Sequence, residues 1–361
     1  MKGEIIMDFN PLKIGNLIAP IPIIQGGMGI GVSSSKLASA VSAEGGIGVL
    51  SAAQLGYNEA EFEKNPLDTN LKAIKKHIKL AKLNCPSGIL GINIMVATNY
   101  YKEHVQAAID AGVDLIISGA GLPIMLPKIV KGSNVKIAPI VSSLKAAKII
   151  LKLWDRHDHV CPDLLIIEGP KAGGHLGFKL DELNDDNFDF DKSVVDIIKE
   201  TKKYAKKYNK DIPVVVGGGI FDGNDIAHYL NLGASGVQMA TRFVVTEECD
   251  ASQEFKDAYI NCHKDDIQIV KSPVGMPGRA IRNKFIENHS QNSCKVTHCY
   301  NCLEPCNPAD TPYCISKALI NAVNGNIDDG LIFCGENASR LTKMTTVKDL
   351  MNELITELRS I

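Results

Sequence analysis

Short apolar runs alternate with helix-periodic stretches through most of this chain. The runs are Ile21–Gln25, Gly48–Ala52, Leu90–Met95, Asp114–Ser118, Ile137–Val141, Leu164–Glu168, Pro213–Gly217 and Gly236–Thr241. Each is apolar at successive positions, so both faces of the strand it forms must be buried, as in a parallel sheet between layers. The intervening stretches are Ser33–Ala43, Leu71–Leu83, Tyr101–Ala111, Leu144–Trp154, Val194–Tyr208 and Asp225–Leu232. Their apolar residues recur at three- and four-residue spacing, and Gly often closes them. Eight strand–helix units in a row predict an α/β fold whose parallel sheet closes into a TIM (β/α)8 barrel.

The rival is an open doubly wound sheet, marked by a G-x-G-x-x-G turn after the first strand and an acidic residue about twenty positions on. Gln25-Gly26-Gly27-Met28-Gly29 is glycine-rich at the right place, but its spacing differs and no acidic partner ends the second strand. The barrel is therefore expected over residues 1–268. After about Gly275 the texture changes: prolines and five cysteines crowd the segment from Pro273 to Cys314. Residues 269–361 are read as a lid or cap segment, with helices at Ile315–Val323 and Val347–Leu358 packing back on the barrel.

Composition narrows the function more than the fold. The 361 residues carry a formal net charge of −2 with no basic stripe, so a nucleic-acid partner is not expected. No run approaches a membrane span, and Met1–Asn10 lacks the apolar core of a signal peptide. A cytoplasmic location with mostly reduced cysteines is the expectation.

The candidate chemistry lies at strand ends, where barrels build their sites. Gly217–Gly219 after the seventh strand and Gln238, Ala240 and Thr241 after the eighth suit a phosphate. Glycines let backbone N–H groups converge on an anion without Cβ interference. Thr241 adds a hydroxyl and Arg242 a charge. After the sixth strand, Glu168 precedes a loop with Gly173, Gly174 and His175, placing an imidazole that can move protons near neutral pH. Glu168 suits either orienting that loop or bonding the ligand. After the first strand, Gln25, Gly26, Gly27 and Met28 offer exposed backbone to the edge of a flat ring and a soft thioether to its face. Asn93 and Ser118 complete the set, since a polar residue in an apolar run needs a partner.

In order, QGGMG, GINIM, SGAGLP, EGPKAGGHLG, VVVGGGI and GVQMATRF resemble the nitronate monooxygenase (2-nitropropane dioxygenase) family, with a further fit at Ser272–Arg279. That family includes FMN-dependent enoyl-acyl carrier protein reductases and NAD(P)H:quinone reductases. The resemblance implies a TIM barrel holding one FMN, with His175 as the catalytic histidine. It also implies FMN contacts from Gly26, Gly27, Met28, Asn93, Gly218, Gly219, Ala240 and Thr241. The expected activity is oxidation of alkyl nitronates, with an enoyl-thioester or quinone reductase fed by NAD(P)H as the alternative. The expected partners are a small-molecule substrate and a second copy of the chain in a homodimer. A non-redox barrel isomerase or aldolase would use the same phosphate cradle but lacks an obvious Schiff-base lysine.

The cysteines stand apart from this. Cys294-x4-Cys299-x2-Cys302-x3-Cys306-x7-Cys314 could furnish thiolates for an iron–sulfur cluster or zinc. Cys334 downstream imitates plant-type ferredoxin spacing, and His298 is a further zinc candidate. Small buried residues stiffening a lid, or redox-active thiols, would explain the same pattern.

Overall fold

The computed structural model describes residues 9–185, 187–273, 275–289 and 296–361. Its strands are β1 (Leu12–Ile14), β2 (Leu17–Ala19), β3 (Ile23–Gln25), β4 (Ile47–Ser51), β5 (Ile89–Asn93), β6 (Leu115–Ser118), β7 (Lys136–Val141), β8 (Leu165–Glu168), β9 (Gly174–His175), β10 (Val214–Gly217), β11 (Gly236–Met239), β12 (Ile267–Lys271) and β13 (Pro277–Ile281). Strands β3 to β8 with β10 and β11 form one closed parallel barrel, in which β11 pairs with β3 to complete the ring. The TIM fold is thus present, and each predicted run supplies one barrel strand.

Alternation along these strands sorts the core into two shells. Ile24, Ile47, Val49, Leu115, Ile117, Ala138, Ile166 and Val215 fill the barrel interior. Their neighbours Leu50, Leu90, Ile92, Ile116, Leu165, Ile167, Val214 and Val216 face the helices with Ile74, Ile150, Trp154 and Ile197. Burial on both faces is why the strands read as continuous apolar runs.

The β1–β2 hairpin, unmarked in the hydrophobic pattern, sends Leu12, Ile14 and Ala19 into the interior cluster. Gly15 at its turn sits against Lys136, the first residue of β7, so the hairpin forms the floor at the N-terminal ends of the strands. The opposite end is roofed by a three-stranded sheet, β12-β13-β9, which the pattern also leaves unmarked. Residues after β13 add helices Lys284–His289 and Ile315–Val323, whose apolar residues pack with Leu303, Tyr313 and Leu331 over Met95 and Ala97. The final helix, Val347–Arg359, lays Leu350, Met351, Leu354 and Leu358 against the helices Ser35–Ala43 and Gly223–Asn231.

Two strands end two residues short of their predicted limits. The β5 ladder stops at Asn93 rather than Met95, and the β11 ladder stops at Met239, after which Thr241–Val244 forms a single helical turn. In both places the chain leaves the sheet where the cavity begins.

A very close helix–strand contact is made at Gly48, where a Cβ would stand 1.8 Å from the carbonyl oxygen of Ala38. Gly48→Ala must push the helix Ser35–Ala43 off β4, at the cost of overpacking, about 1–3 kcal/mol. Chemical denaturation should show this loss. An unchanged midpoint would mean that the contact is slack.

Candidate functional site

A cavity of about 280 Å³ opens over the C-terminal ends of the barrel strands, under the β12-β13-β9 roof. From the first strand end it is lined by Gly26, Gly27 and Met28, and from β5 by Asn93. Glu168, Gly173, Gly174 and His175 line it from the β8 side, and Gly217–Gly219, Gln238, Ala240 and Thr241 from β10 and β11. All of these are expected from the sequence.

Two expected residues are elsewhere. Gln25 is fully buried and spends its amide on the barrel: Oε1 accepts from the Val49 N–H at 3.1 Å, and Nε2 donates to the Val49 carbonyl at 3.2 Å. It stitches β3 to β4, which otherwise pair through Ile24 and Ile47. Ser118, also fully buried, turns outward and bonds the Tyr101 hydroxyl at 2.8 Å. Arg242 likewise faces away from the cavity. Its guanidinium donates to Phe221 O at 3.1 Å and Glu353 Oε1 at 2.7 Å and stacks over the Phe221 ring.

The anion-facing corner is built by turn geometry. Gly218 and Gly219 have φ of +97° and +90°, which side chains adopt only with strain. A Cβ on Gly218 would meet Gly169 O at 2.8 Å, and one on Gly219 would meet Lys171 Cβ at 2.8 Å. Asn337 fixes the turn by donating Nδ2 to Gly219 O at 2.6 Å. Lys171 lines this corner and makes no ion pair among the described residues, whereas the lining carboxylate of Glu336 has Arg279 at 3.5 Å. Lys171 lies inside the EGPKAGGHLG motif yet carries no residue-level signal, because exposed lysines are common throughout this chain.

Further in, Gln238 presents a buried Oε1 with no hydrogen-bond partner among the described residues. A buried acceptor left unpaired costs free energy, so the position is suited to a donor on a bound group. Gly26 lies directly against this side chain: a Cβ there would meet Gln238 Cγ at 3.3 Å.

His175 sits on β9 and is held by register: it pairs with Gly278 of β13, while Leu176 N–H donates to Pro277 O at 2.8 Å. Its Nε2 lies 2.6 Å from Ser272 Oγ, and its ring meets Phe333 edge-on with centroids 5.0 Å apart. Nδ1 has no hydrogen-bond partner among the described residues. Burial pushes the imidazole down to about 4, so it is neutral at physiological pH. Glu168 goes the other way. Burial raises it to about 7, against hydrogen bonds from Gly177 N–H at 3.1 Å and Ser142 Oγ at 3.2 Å that favour its charged form.

A second, smaller cavity of about 60 Å³ shares His175, Met95 and Leu319 with the first and runs beneath the lid toward Cys302, Tyr300 and Ser316. His104, on the helix Tyr101–Asp110, lines it with both ring nitrogens unpartnered among the described residues, and burial lowers it to about 4. Nothing in its sequence context marks it, since a lone histidine in an amphipathic helix is ordinary.

Of the cysteine segment, Cys294 lies outside the described residues. His298 is paired with Glu63 at 3.6 Å and packed edge-on against Tyr300. Cys334 is buried near Cys262 and Arg279, away from the ferredoxin-like grouping its spacing imitates. Among the described residues no three His, Cys, Asp or Glu side chains converge to hold one metal ion, and no helix is long and apolar enough to cross a membrane.

Residues 10–357 match the family model described as nitronate monooxygenase. A probable nitronate monooxygenase of Staphylococcus aureus strain Newman is 27% identical over 295 residues, covering 75% of this chain and 78% of its own length. Among solved structures, FabK from Thermotoga maritima superposes with a TM-score of 0.69 at 23% identity, over 94% of this chain and 92% of that one. A nitroalkane oxidase from Streptomyces ansochromogenes gives 0.69 at 20% identity, over 94% and 96%. The two structures share the fold, and the family match extends over nearly all of the described chain. The chain belongs to the nitronate monooxygenase family and is a flavoprotein-type oxidoreductase.

Proposed function

We propose that the large cavity binds FMN and that the enzyme oxidises alkyl nitronates beside it. The observation that carries this is His175, a neutral imidazole with one nitrogen on Ser272 and the other unpartnered among the described residues, lining the cavity that holds the unpaired Gln238 acceptor. The residues fit the cofactor. Gly218, Gly219 and Thr241 with Lys171 would take its phosphate, Gln238 Oε1 would accept from a donor on the ring or ribityl chain, and Met28 would pack on the ring face. FMN when bound supplies the electron acceptor, which no side chain here can.

The protein's part is position and charge. In the tautomer in which Ser272 Oγ donates to Nε2, the ring proton of His175 sits on Nδ1, where it would donate to an oxygen of the anionic nitronate. Protonation is unnecessary for that role, which suits a ring held neutral by burial. Glu168 sets the opposing charge. Below pH 7 it is mostly protonated and tolerates an anion nearby; above, its carboxylate repels one.

Gly218→Ala should lower FMN affinity about 5- to 150-fold, since strain of about 1–3 kcal/mol falls on the cradle. Flavin content of the purified protein, with circular dichroism to verify folding, reads this directly, and full occupancy would refute the cradle. His175→Ala should keep its flavin but lose about 10²–10⁴-fold in kcat, the usual range for a positioned proton-bearing group. Anaerobic mixing decides the chemistry: propionate 3-nitronate alone should bleach the flavin. Bleaching by NADH or NADPH but never by the nitronate would instead select a reductase of enoyl thioesters or quinones.

For the nitronate, kcat/KM should fall as pH rises through about 7, as Glu168 ionises. In Glu168→Gln that limb should vanish, and an identical profile in the variant would remove Glu168 from the account.

A further inference from the structure

Among the described residues, only Gln238 and His104 hold buried side-chain polar atoms with no hydrogen-bond partner. The flavin reading gives Gln238 a partner and leaves His104 without one. His104 lies in the first turn of the helix Tyr101–Asp110, on the buried face with Val105, Ala107 and Ala108, and is 7% exposed. An aliphatic side chain would fill that position at no polar cost, whereas burying an unpaired imidazole opposes folding. Burial lowers the ring to about 4, so at physiological pH it is neutral, with one N–H to give and one lone pair to receive.

His104 lines the cavity of about 60 Å³ beneath the lid. Against about 30 Å³ for each water in the liquid, that volume admits a chain of only a few heavy atoms. The cavity is continuous with the large one, since Ile30, Ala53, Met95, His175 and Leu319 line both. A substrate reacting beside His175 can therefore extend an arm past aliphatic side chains toward His104.

The lining sets the chemistry of that arm. Among the described residues it contains no Asp, Glu, Lys or Arg, in contrast to the large cavity with Glu168, Lys171 and Glu336. A charged end would be desolvated there without a counter-charge. The lining amides are already committed to the protein: Gln54 to Asn70 and Ser316, Asn70 to the Gly56 N–H, and Asn99 to Asn301. The polar group left to meet is His104. A hydroxyl both donates and accepts, so it suits either ring nitrogen in either tautomer.

We propose that the small cavity is a subsite for the distal arm of the substrate, a short aliphatic chain ending in a hydroxyl that hydrogen-bonds His104. The assignment rests on the nitronate reading for the reacting end, and it makes the preferred substrate the nitronate of a short nitroalcohol with its hydroxyl at the far end.

Binding and turnover are measured separately on the flavin-loaded protein. Calorimetry without oxygen compares the nitro forms of 4-nitrobutan-1-ol, 1-nitropentane and 4-nitrobutanoate, which differ only at the far end. The alcohol should bind about 5- to 150-fold tighter than the alkane, which leaves His104 unpaired, and the carboxylate should bind more weakly than the alcohol. His104→Phe keeps a ring but no nitrogen, and should reverse the order of alcohol and alkane. Equal binding of those two by the unaltered protein, tightest binding of the carboxylate, or an unchanged preference in His104→Phe would each overturn the subsite. The corresponding nitronates test the reading beneath it. If none bleaches the flavin while the alcohol binds tightest and loses that advantage in His104→Phe, the subsite stands and the nitronate chemistry falls.

Discussion

The pairing of β9 with β13 is the contact on which the site depends. Only two residue pairs make it, Gly278 with His175 and Arg279 with Gly174. Yet it takes the loop after β8, which has no ladder of its own in the barrel, and fixes it against an arm from the far end of the chain. Arg279 strengthens the junction by donating to the carbonyls of Pro170 and Ala172, so the same residue holds both ends of the loop's first turn. Gly173 is required there because a Cβ would lie 2.6 Å from the backbone of Cys334. The roof, the loop and the histidine are thus one packed unit, and none can be displaced alone.

This arrangement divides the barrel into a half made for stability and a half made for ligands. At the floor, Leu12, Ile14 and Ala19 close the interior with apolar side chains, and every neighbour in that cluster is aliphatic. At the roof, the interior ends in residues that cannot satisfy themselves: Gln238 Oε1 lacks a donor among the described residues, and Glu168 is buried far enough to hold its proton to about pH 7. Such polar imperfections cost stability. They persist where a bound group completes them, and their concentration at one end is what separates a site from a core.

The barrel is legible in the sequence because burial on both strand faces writes a strong, period-independent signal, and eight such runs admit few topologies. The hairpin β1–β2 escapes because three-residue strands are too short for alternation to register. The roof sheet escapes because β12 carries intermediate burial almost throughout and β9, Gly174–His175, is two residues long. The glycine turns and His175 are readable from their places at strand ends. Gln25, Ser118 and Arg242 are not, since a polar residue at a strand end faces either the cavity or the surrounding layer, and one residue of register decides which. Lys171 and His104 fail for the opposite reason: their importance comes from lacking a partner, and the absence of a contact leaves no mark on a sequence.

The charges within the cavity follow from the same geometry. Arg242 and Arg279, which in isolation would read as anion binders, are each committed to protein carbonyls and a carboxylate. That leaves Lys171 at the outer corner beside the Gly218–Gly219 turn, and, further in, the neutral His175 and a Glu168 that is about half protonated at pH 7. A ligand with a strongly charged end and a flat, nearly neutral body matches this gradient, because its phosphate can stay near solvent while its ring displaces water from the buried half. The reverse orientation would bury the phosphate beside Glu168 without a cation, which the desolvation cost forbids. On the FMN reading, the position of Lys171 would set the direction in which the cofactor enters, before any contact to its ring is considered.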